Sequence, residues 1–238
     1  MRKTLILIIS ILFVFINCKP QSSRPNTLSQ REIDEGWQLL FDGNSTHSWH
    51  GYLEQDVGEG WLAKDGALYC KGLGGDIGGD IITDKQFDNF ILKLEWKISK
   101  GGNSGIFYHV QEDTNYTAPY HTGPEYQIID DAGFPQPLKN WQKTGADYAM
   151  YVANDKKELK PQGEWNTTKI VFDNGHVEHW LNGNKIVEFE AWSQDWKTRK
   201  SEGKWKDYPD YGKFKKGHIG LQDHGSEVWF KNIKIKEL

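Results

Sequence analysis

The chain has 238 residues, with 29 Lys and Arg against 33 Asp and Glu, a formal net charge of -4, 25 glycines and 11 tryptophans. That length suits one large all-β domain. The mild charge and the lack of a basic stripe argue against a nucleic-acid partner.

The N-terminus begins with basic Arg2-Lys3, followed by an apolar run from Thr4 to Ile16, then Asn17 and Cys18. The run is too short to span a bilayer comfortably and fits the apolar region of an export signal. Phe15-Ile16-Asn17-Cys18 resembles a relaxed bacterial lipobox, with Asn17 where a small residue is usual. On that resemblance residues 1–17 are a lipoprotein signal peptide and Cys18 is the lipidated first mature residue. Residues 18–35 are then a polar tether, and residues 36–238 the domain. The protein is expected to be exported to the periplasm or cell surface, touching the membrane through its lipid alone. Cys70 is then solitary and cannot close an internal disulfide. At the end of a predicted strand it reads as a small buried hydrophobe.

From residue 37 onward strand signals dominate. "WLAKDGALYC" predicts two short strands joined at Asp65-Gly66. The "GLGGDIGGD" stretch from Gly72 to Asp80 lacks the spacing of a phosphate loop and reads as a turn at a groove rim. "FILKLEWKI" alternates: Phe90, Leu92, Leu94, Trp96 and Ile98 share one face, and Ile91, Lys93, Glu95 and Lys97 the other. That is the pattern of a half-buried antiparallel strand. "NSGIFYHV", "EYQII", "TKIVF", "HVEHWL" and "KIVEF" follow, the last two flanking an Asn182-Gly183 turn. Residues 191–207 break the pattern and predict a short polar helical excursion, with Trp192 and Trp196 as its docking face. The chain returns to strand at "GHIGLQDH", and the parity of "EVWFKNIKIKEL" shifts near Lys231-Asn232, which predicts a bulge. The whole reads as an antiparallel β-sandwich.

The same parity test sorts the polar strands. In "NSGIFYHV", Ile106, Tyr108 and Val110 share a face, opposite Asn103, Gly105, Phe107 and His109. In "EYQII", Tyr126 and Ile128 oppose Glu125, Gln127 and Ile129. In "GHIGLQDH", Ile219 and Leu221 oppose His218, Gln222 and His224. With the apolar sets inward, Asn103, His109, Glu125, Gln127, His218, Gln222 and His224 face outward together. Gly105 and Gly220 lie among them, as where a ligand approaches the backbone. Ordinary solvent faces carry Lys and Glu, as on Lys93-Glu95-Lys97. Amides and imidazoles donate and accept directionally, which suits hydroxyl-rich sugars. Asp130-Asp131 reads as a turn, and no zincin, α/β-hydrolase or EF-hand motif occurs.

"WQLLFDGNS", "GALY", "NSGIFYHV", "GPEYQIIDD", "GEWNTTKIVFDNGHVEHWLNG" and "GHIGLQDHGSEVWFKNIKI" occur in order from about Gly36 to Leu238. Together they resemble the 3-keto-disaccharide hydrolase domain family. That resemblance implies a concanavalin-like jelly roll that cleaves glycosides already oxidised to a ketone at C3. Two positions depart from the pattern: His109 stands where relatives often have Arg, and Asp147 interrupts "TGALY" as a rim contact or exposed residue.

A C3 ketone acidifies the C2 proton, and the resulting enolate can expel the C1 substituent, which hydration then replaces. This requires a base and a stabiliser for the oxyanion. Glu125 or His224 could be the base, with Asp223 orienting His224. A bound divalent cation or His109 could stabilise the enolate. Asn103, His109, Gln127, His218 and Gln222 would hold the sugar. The alternatives are a lectin-like carbohydrate-binding module and a conventional glycosidase. The latter needs two carboxylates, and the sequence offers one good candidate, Glu125.

Overall fold

The computed structural model describes residues 24–73, 75 and 79–238; Cys18 and the expected signal segment lie outside them. The strands are β1 (Trp37–Leu39), β2 (Trp49–Gly51), β3 (Trp61–Lys64), β4 (Ala67–Cys70), β5 (Ile81–Phe87), β6 (Phe90–Ile98), β7 (Asn103–Val110), β8 (Glu125–Ile129), β9 (Asn166–Asp173), β10 (His176–Leu181), β11 (Asn184–Glu190), β12 (Gly217–Leu221) and β13 (Val228–Glu237). Two helices are α1 (Gln30–Asp34) and α2 (Gln194–Glu202). One sheet runs β11-β10-β9-β6-β13-β4-β3, with β1 also paired to β13; the other runs β2-β5-β12-β7-β8. Both are antiparallel throughout. This is the expected jelly-roll sandwich.

The inward faces are those set by the alternation. Phe90, Leu92, Leu94, Trp96 and Ile98 of β6 are buried against Ile106, Tyr108, Tyr126, Ile128, Ile219 and Leu221 in one core. Each such large side chain contributes about 1.5–3 kcal/mol when buried, largely offset by the entropy of ordering the chain. The hairpin turns have left-handed backbones at both residues: φ 51° and 73° at Asp65-Gly66, 48° and 89° at Asn182-Gly183. The β13 bulge also lies where the parity shifts. Pairing with β6 slips between Lys231 and Lys234, and Asn232 has φ 51°.

That bulge corrects the tether. The Asn232 N–H donates to Asn26 Oδ1 at 2.7 Å, and the Asn26 N–H donates to Asn232 Oδ1 at 2.6 Å. Asn26 Nδ2 also donates to the Gly66 carbonyl at 2.8 Å. Next, α1 starts with a capping box between Ser29 and Glu32, and Glu32 pairs with Lys234. So Asn26 to Asp34 fold onto the domain rather than trailing from it. Polar composition hid this, because the contacts are hydrogen bonds to a bulge.

A second bulge moves a predicted site residue. Opposite β12, Gly220 pairs with Phe107 but His218 with Val110, so β7 carries an extra residue. His109 takes it up with φ 56°. Val110 therefore joins Ile82 and Phe107 in a small apolar cluster. His109 turns inward instead, its ring centroid 4.3 Å from Phe172, and Nε2–H donates to the Asp88 carbonyl at 2.8 Å. Burial lowers its pKa to about 4. His109 is thus a neutral core residue and neither holds the sugar nor carries a charge for the enolate. Strict alternation cannot see a bulge whose inserted residue is not glycine.

Candidate active site

Asn103, Glu125, Gln127, Gln222 and His224 line one cavity of about 220 Å³, together with Tyr120, Tyr148, Lys204, Trp205 and Tyr208. The volume equals that of about seven waters, at roughly 30 Å³ each, the scale of a single sugar ring. Five of the predicted side chains therefore converge.

Glu125 opens β8 and is 5% exposed. Its carboxylate folds over Gly105 of β7, where a β-carbon would lie 2.2 Å from Oε1. At Gly220 a β-carbon would lie 3.2 Å from Phe107. Both glycines accommodate the protein's own side chains rather than a ligand. Among the described residues no hydrogen bond reaches the Glu125 carboxylate. Burial pushes its pKa up to about 8, opposed by the Lys204 ammonium and reinforced by Asp80 and Asp147.

The amides are oriented toward the cavity. Gln127 Nε2 donates to Asn103 Oδ1 at 3.2 Å and to the Gln142 carbonyl at 3.3 Å. Gln127 Oε1 and Gln222 Oε1 are buried with no hydrogen-bond partner among the described residues. Such acceptors are costly to leave unpaired and suit the hydroxyl donors of a sugar.

Several expected residues lie elsewhere. His218 is on the same outer face but outside the cavity, with Val110 opposite it on β7. Its Nδ1–H donates to the Thr83 carbonyl at 2.6 Å, its Nε2 lies 3.0 Å from Gln86 Nε2, and its ring meets His50 edge-on at 6.1 Å. Asp223 is 2% exposed and does not line the cavity. Alternation continues through it, placing Oδ2 3.4 Å from where a β-carbon at Gly60 would sit. Its N–H donates to Asp80 Oδ1 at 2.8 Å. Asp147, expected at a rim, is fully buried, with Tyr108 donating to Oδ1 at 3.5 Å, and its pKa is pushed well up. Asp130 and Asp131 tie a turn, accepting from Gly101, Gly133 and Thr144 N–H groups. Cys70 is buried and free, and burial pushes its thiol up.

Half of the cavity wall comes from segments whose role the alternation could not show. Residues 145–148 pair with the free edge of β8 and bring in Tyr148. The excursion provides Lys204 and Trp205, and Tyr208 follows directly after it. Ser193 caps α2, and a short turn over Lys204–Asp207 follows. Trp205 and Trp196 both stack on Tyr211, at 4.1 and 6.3 Å, each at 10°, and Trp205 Nε1 donates to the Tyr148 carbonyl at 3.0 Å. Trp196 is a docking residue, as expected. The density of aromatics there was the available signal for the rest.

Glu125 and His224 offer a carboxylate and an imidazole in the cavity, and the Oε1 atoms of Gln127 and Gln222 belong to the same lining, a donor set that a divalent cation could use. His176, Glu178 and Glu188 do converge on the β10–β11 hairpin, but Lys185 already pairs with both glutamates.

Residues 36–236 match the profile of the 3-keto-α-glucoside-1,2-lyase-like domain. The chain belongs to the 3-keto-disaccharide hydrolase family. It is 34% identical over 229 residues to a 3-keto-disaccharide hydrolase of Bacteroides thetaiotaomicron, covering 86% of this chain and 79% of that one. A candidate glycosyl hydrolase of Parabacteroides distasonis, solved by crystallography, superposes with a TM-score of 0.85 at 46% identity, over 90% of this chain and all of the other. A second such protein from the same organism gives 0.64 at 30% identity, over 85% of this chain and 99% of the other. Membership places the chain among carbohydrate-cleaving hydrolases.

Proposed function

We propose that the protein cleaves glycosides carrying a ketone at C3, and that Glu125 removes the C2 proton. The observation that carries this reading is a carboxyl in the cavity that is 5% exposed and without a hydrogen-bond partner among the described residues, beside two unpaired amide acceptors; burial pushes its pKa up to about 8. A carboxylate so disposed is a stronger base than an ordinary glutamate. The amides of Asn103, Gln127 and Gln222 hold the sugar hydroxyls. His224 is the imidazole of the cavity and donates toward the C3 oxygen as charge develops there. The enolate then expels the C1 oxygen, and water adds to C1 to complete a net hydrolysis.

A conventional glycosidase needs two carboxyls flanking the bond; among the described residues lining the cavity, Glu125 is the sole one. The test is incubation with a 3-keto-disaccharide and its unoxidised parent, with and without chelator. Cleavage of the ketone alone is expected, and the chelator arm reads out whether a divalent cation takes part. Equal rates on both sugars would favour the glycosidase, and binding of both without turnover would favour the lectin-like reading. As part of the same proposal the chain is an exported lipoprotein anchored through Cys18, supported by the apolar run ending at that cysteine. Mass analysis of the mature N-terminus should find it acylated; an unmodified chain beginning elsewhere would refute it.

A further inference from the structure

Glu125 sits deep in the cavity, while Lys204 stands at its mouth. The residue is exposed, yet its ammonium lies 4.3 Å from the Tyr148 ring centroid and 4.9 Å from that of Trp205. Its position is fixed from below by the Trp205–Tyr211 stack. No carboxylate among the described residues lies within ion-pair distance, so no partner pins its proton. A sugar whose ring fills the 220 Å³ cavity with C2 at the buried Glu125 leaves its C1 substituent the open side of the lining, where the exposed Lys204 stands.

We propose that Lys204 is the acid that protonates the departing C1 oxygen. This rests on the 3-keto reading. Glu125 takes the C2 proton, and the electron pair of that bond forms the enolate. As the C1–O bond breaks with its electron pair, Lys204 Nζ–H gives that oxygen a proton, leaving a C1=C2 enone, a free alcohol and a neutral amine. Water then adds to C1 and yields a proton to the amine, while the Glu125 carboxyl returns a proton to C2. Both groups end as they began.

The electrostatics agree with these roles. Packing around the ammonium lowers the Lys204 pKa, opposed by Glu125, which makes it a readier donor than an ordinary lysine. Tyr120 and Tyr148 are pushed the other way by burial.

The test compares full-length wild type with K204M and K204R on two 3-keto-glucosides: a disaccharide, whose leaving group is an alkoxide, and the 4-nitrophenyl glycoside, whose phenolate departs unaided. K204M should lose about 10²-fold or more in kcat/KM on the disaccharide, the usual worth of a general acid, and only a few-fold on the nitrophenyl substrate. K204R keeps the charge but cannot release a proton, and should remain slow on the disaccharide. Equal losses on both substrates, unchanged activity, or rescue by arginine would overturn the assignment while leaving Glu125 as base. A wild type inactive on both ketones would overturn the 3-keto reading and this one with it. Unchanged near-UV circular dichroism in both variants would confirm that the Trp205 stack is intact.

Discussion

The two outer faces of the sandwich are both polar, and both are hollowed. On the β6–β9–β13 face a groove of about 460 Å³, twice the size of the cavity, is lined by Lys93, Glu95, Lys169, Trp180 and Lys234 among others. There Lys234, Lys93 and Lys169 stand directly opposite one another on neighbouring strands. Each charge on that face is accounted for. Lys93 rests 4.5 Å from the Trp37 ring and Lys169 3.5 Å from Trp180, Lys231 pairs with Glu95 at 3.4 Å, and Lys234 pairs with Glu32. On the β7–β8–β12 face the carboxyl is buried without a hydrogen bond among the described residues, and two amide oxygens lack partners. Unmet chemistry, not the size of a hollow, distinguishes a site from a solvated face.

The contrast is most exposed to substitution of charge. E125Q should fold and lose about 10²–10⁴-fold in kcat/KM on a 3-keto-disaccharide, the range for a general base. The K93Q/K169Q double variant should stay within about two-fold, as surface changes away from the chemistry do. Steady-state kinetics on the two would invert the comparison if the lysine variant were the slower.

Histidines give a smaller version of the same test. H224N should lose about 10²-fold. H218N should keep its turnover and lose only stability, because His218 serves the Thr83 carbonyl outside the cavity. Equal losses of kcat would erase the boundary drawn between them. G105A adds one methyl where the Glu125 carboxylate now lies, at 2.2 Å. About tenfold or more in kcat should go, with the fold retained; unchanged kcat would show that the carboxylate does not need this seat.

The pH profile sharpens the picture further. kcat/KM should rise with pH until Glu125 has ionised, near its pKa of about 8, and fall at more alkaline pH as Lys204 loses its proton. Stability runs the opposite way. The folded carboxyl keeps its proton to about 8 while the unfolded one releases it near 4.5, so wild-type stability falls as pH rises across that interval. E125Q removes this fall and should melt higher than wild type above that interval, by at most a few kcal/mol in stability. A melting difference independent of pH would mean that the carboxyl is not buried as described.

Much of this was legible in the residues. Strict alternation in "FILKLEWKI" set the core face of β6, and the same period put Glu125, Gln127, Asn103 and Gln222 outward on adjoining strands. Asp-Gly and Asn-Gly named their turns. The failures have a common cause, since period-two logic holds only while pairing is regular. The bulge at His109 reversed that residue and Val110, and alternation that persisted past Gln222 carried Asp223 away from the cavity. Lys204, Trp205 and Tyr208 belong to a segment with no period at all, positioned by ring stacking between residues far apart from the sheet. Asn26 reaches Asn232 across 206 positions, which no local pattern can announce.

The central claim is that Glu125 removes the C2 proton, and hydrolysis of a 3-keto-disaccharide in D2O tests it most directly. Water must enter the cavity before C1 is hydrated, so the proton held by Glu125 exchanges with solvent. The released 3-keto sugar should therefore carry deuterium at C2 by mass spectrometry and NMR, and E125Q should form neither this product nor deuterated substrate. A product from the wild type that keeps its original C2 hydrogen would contradict the account.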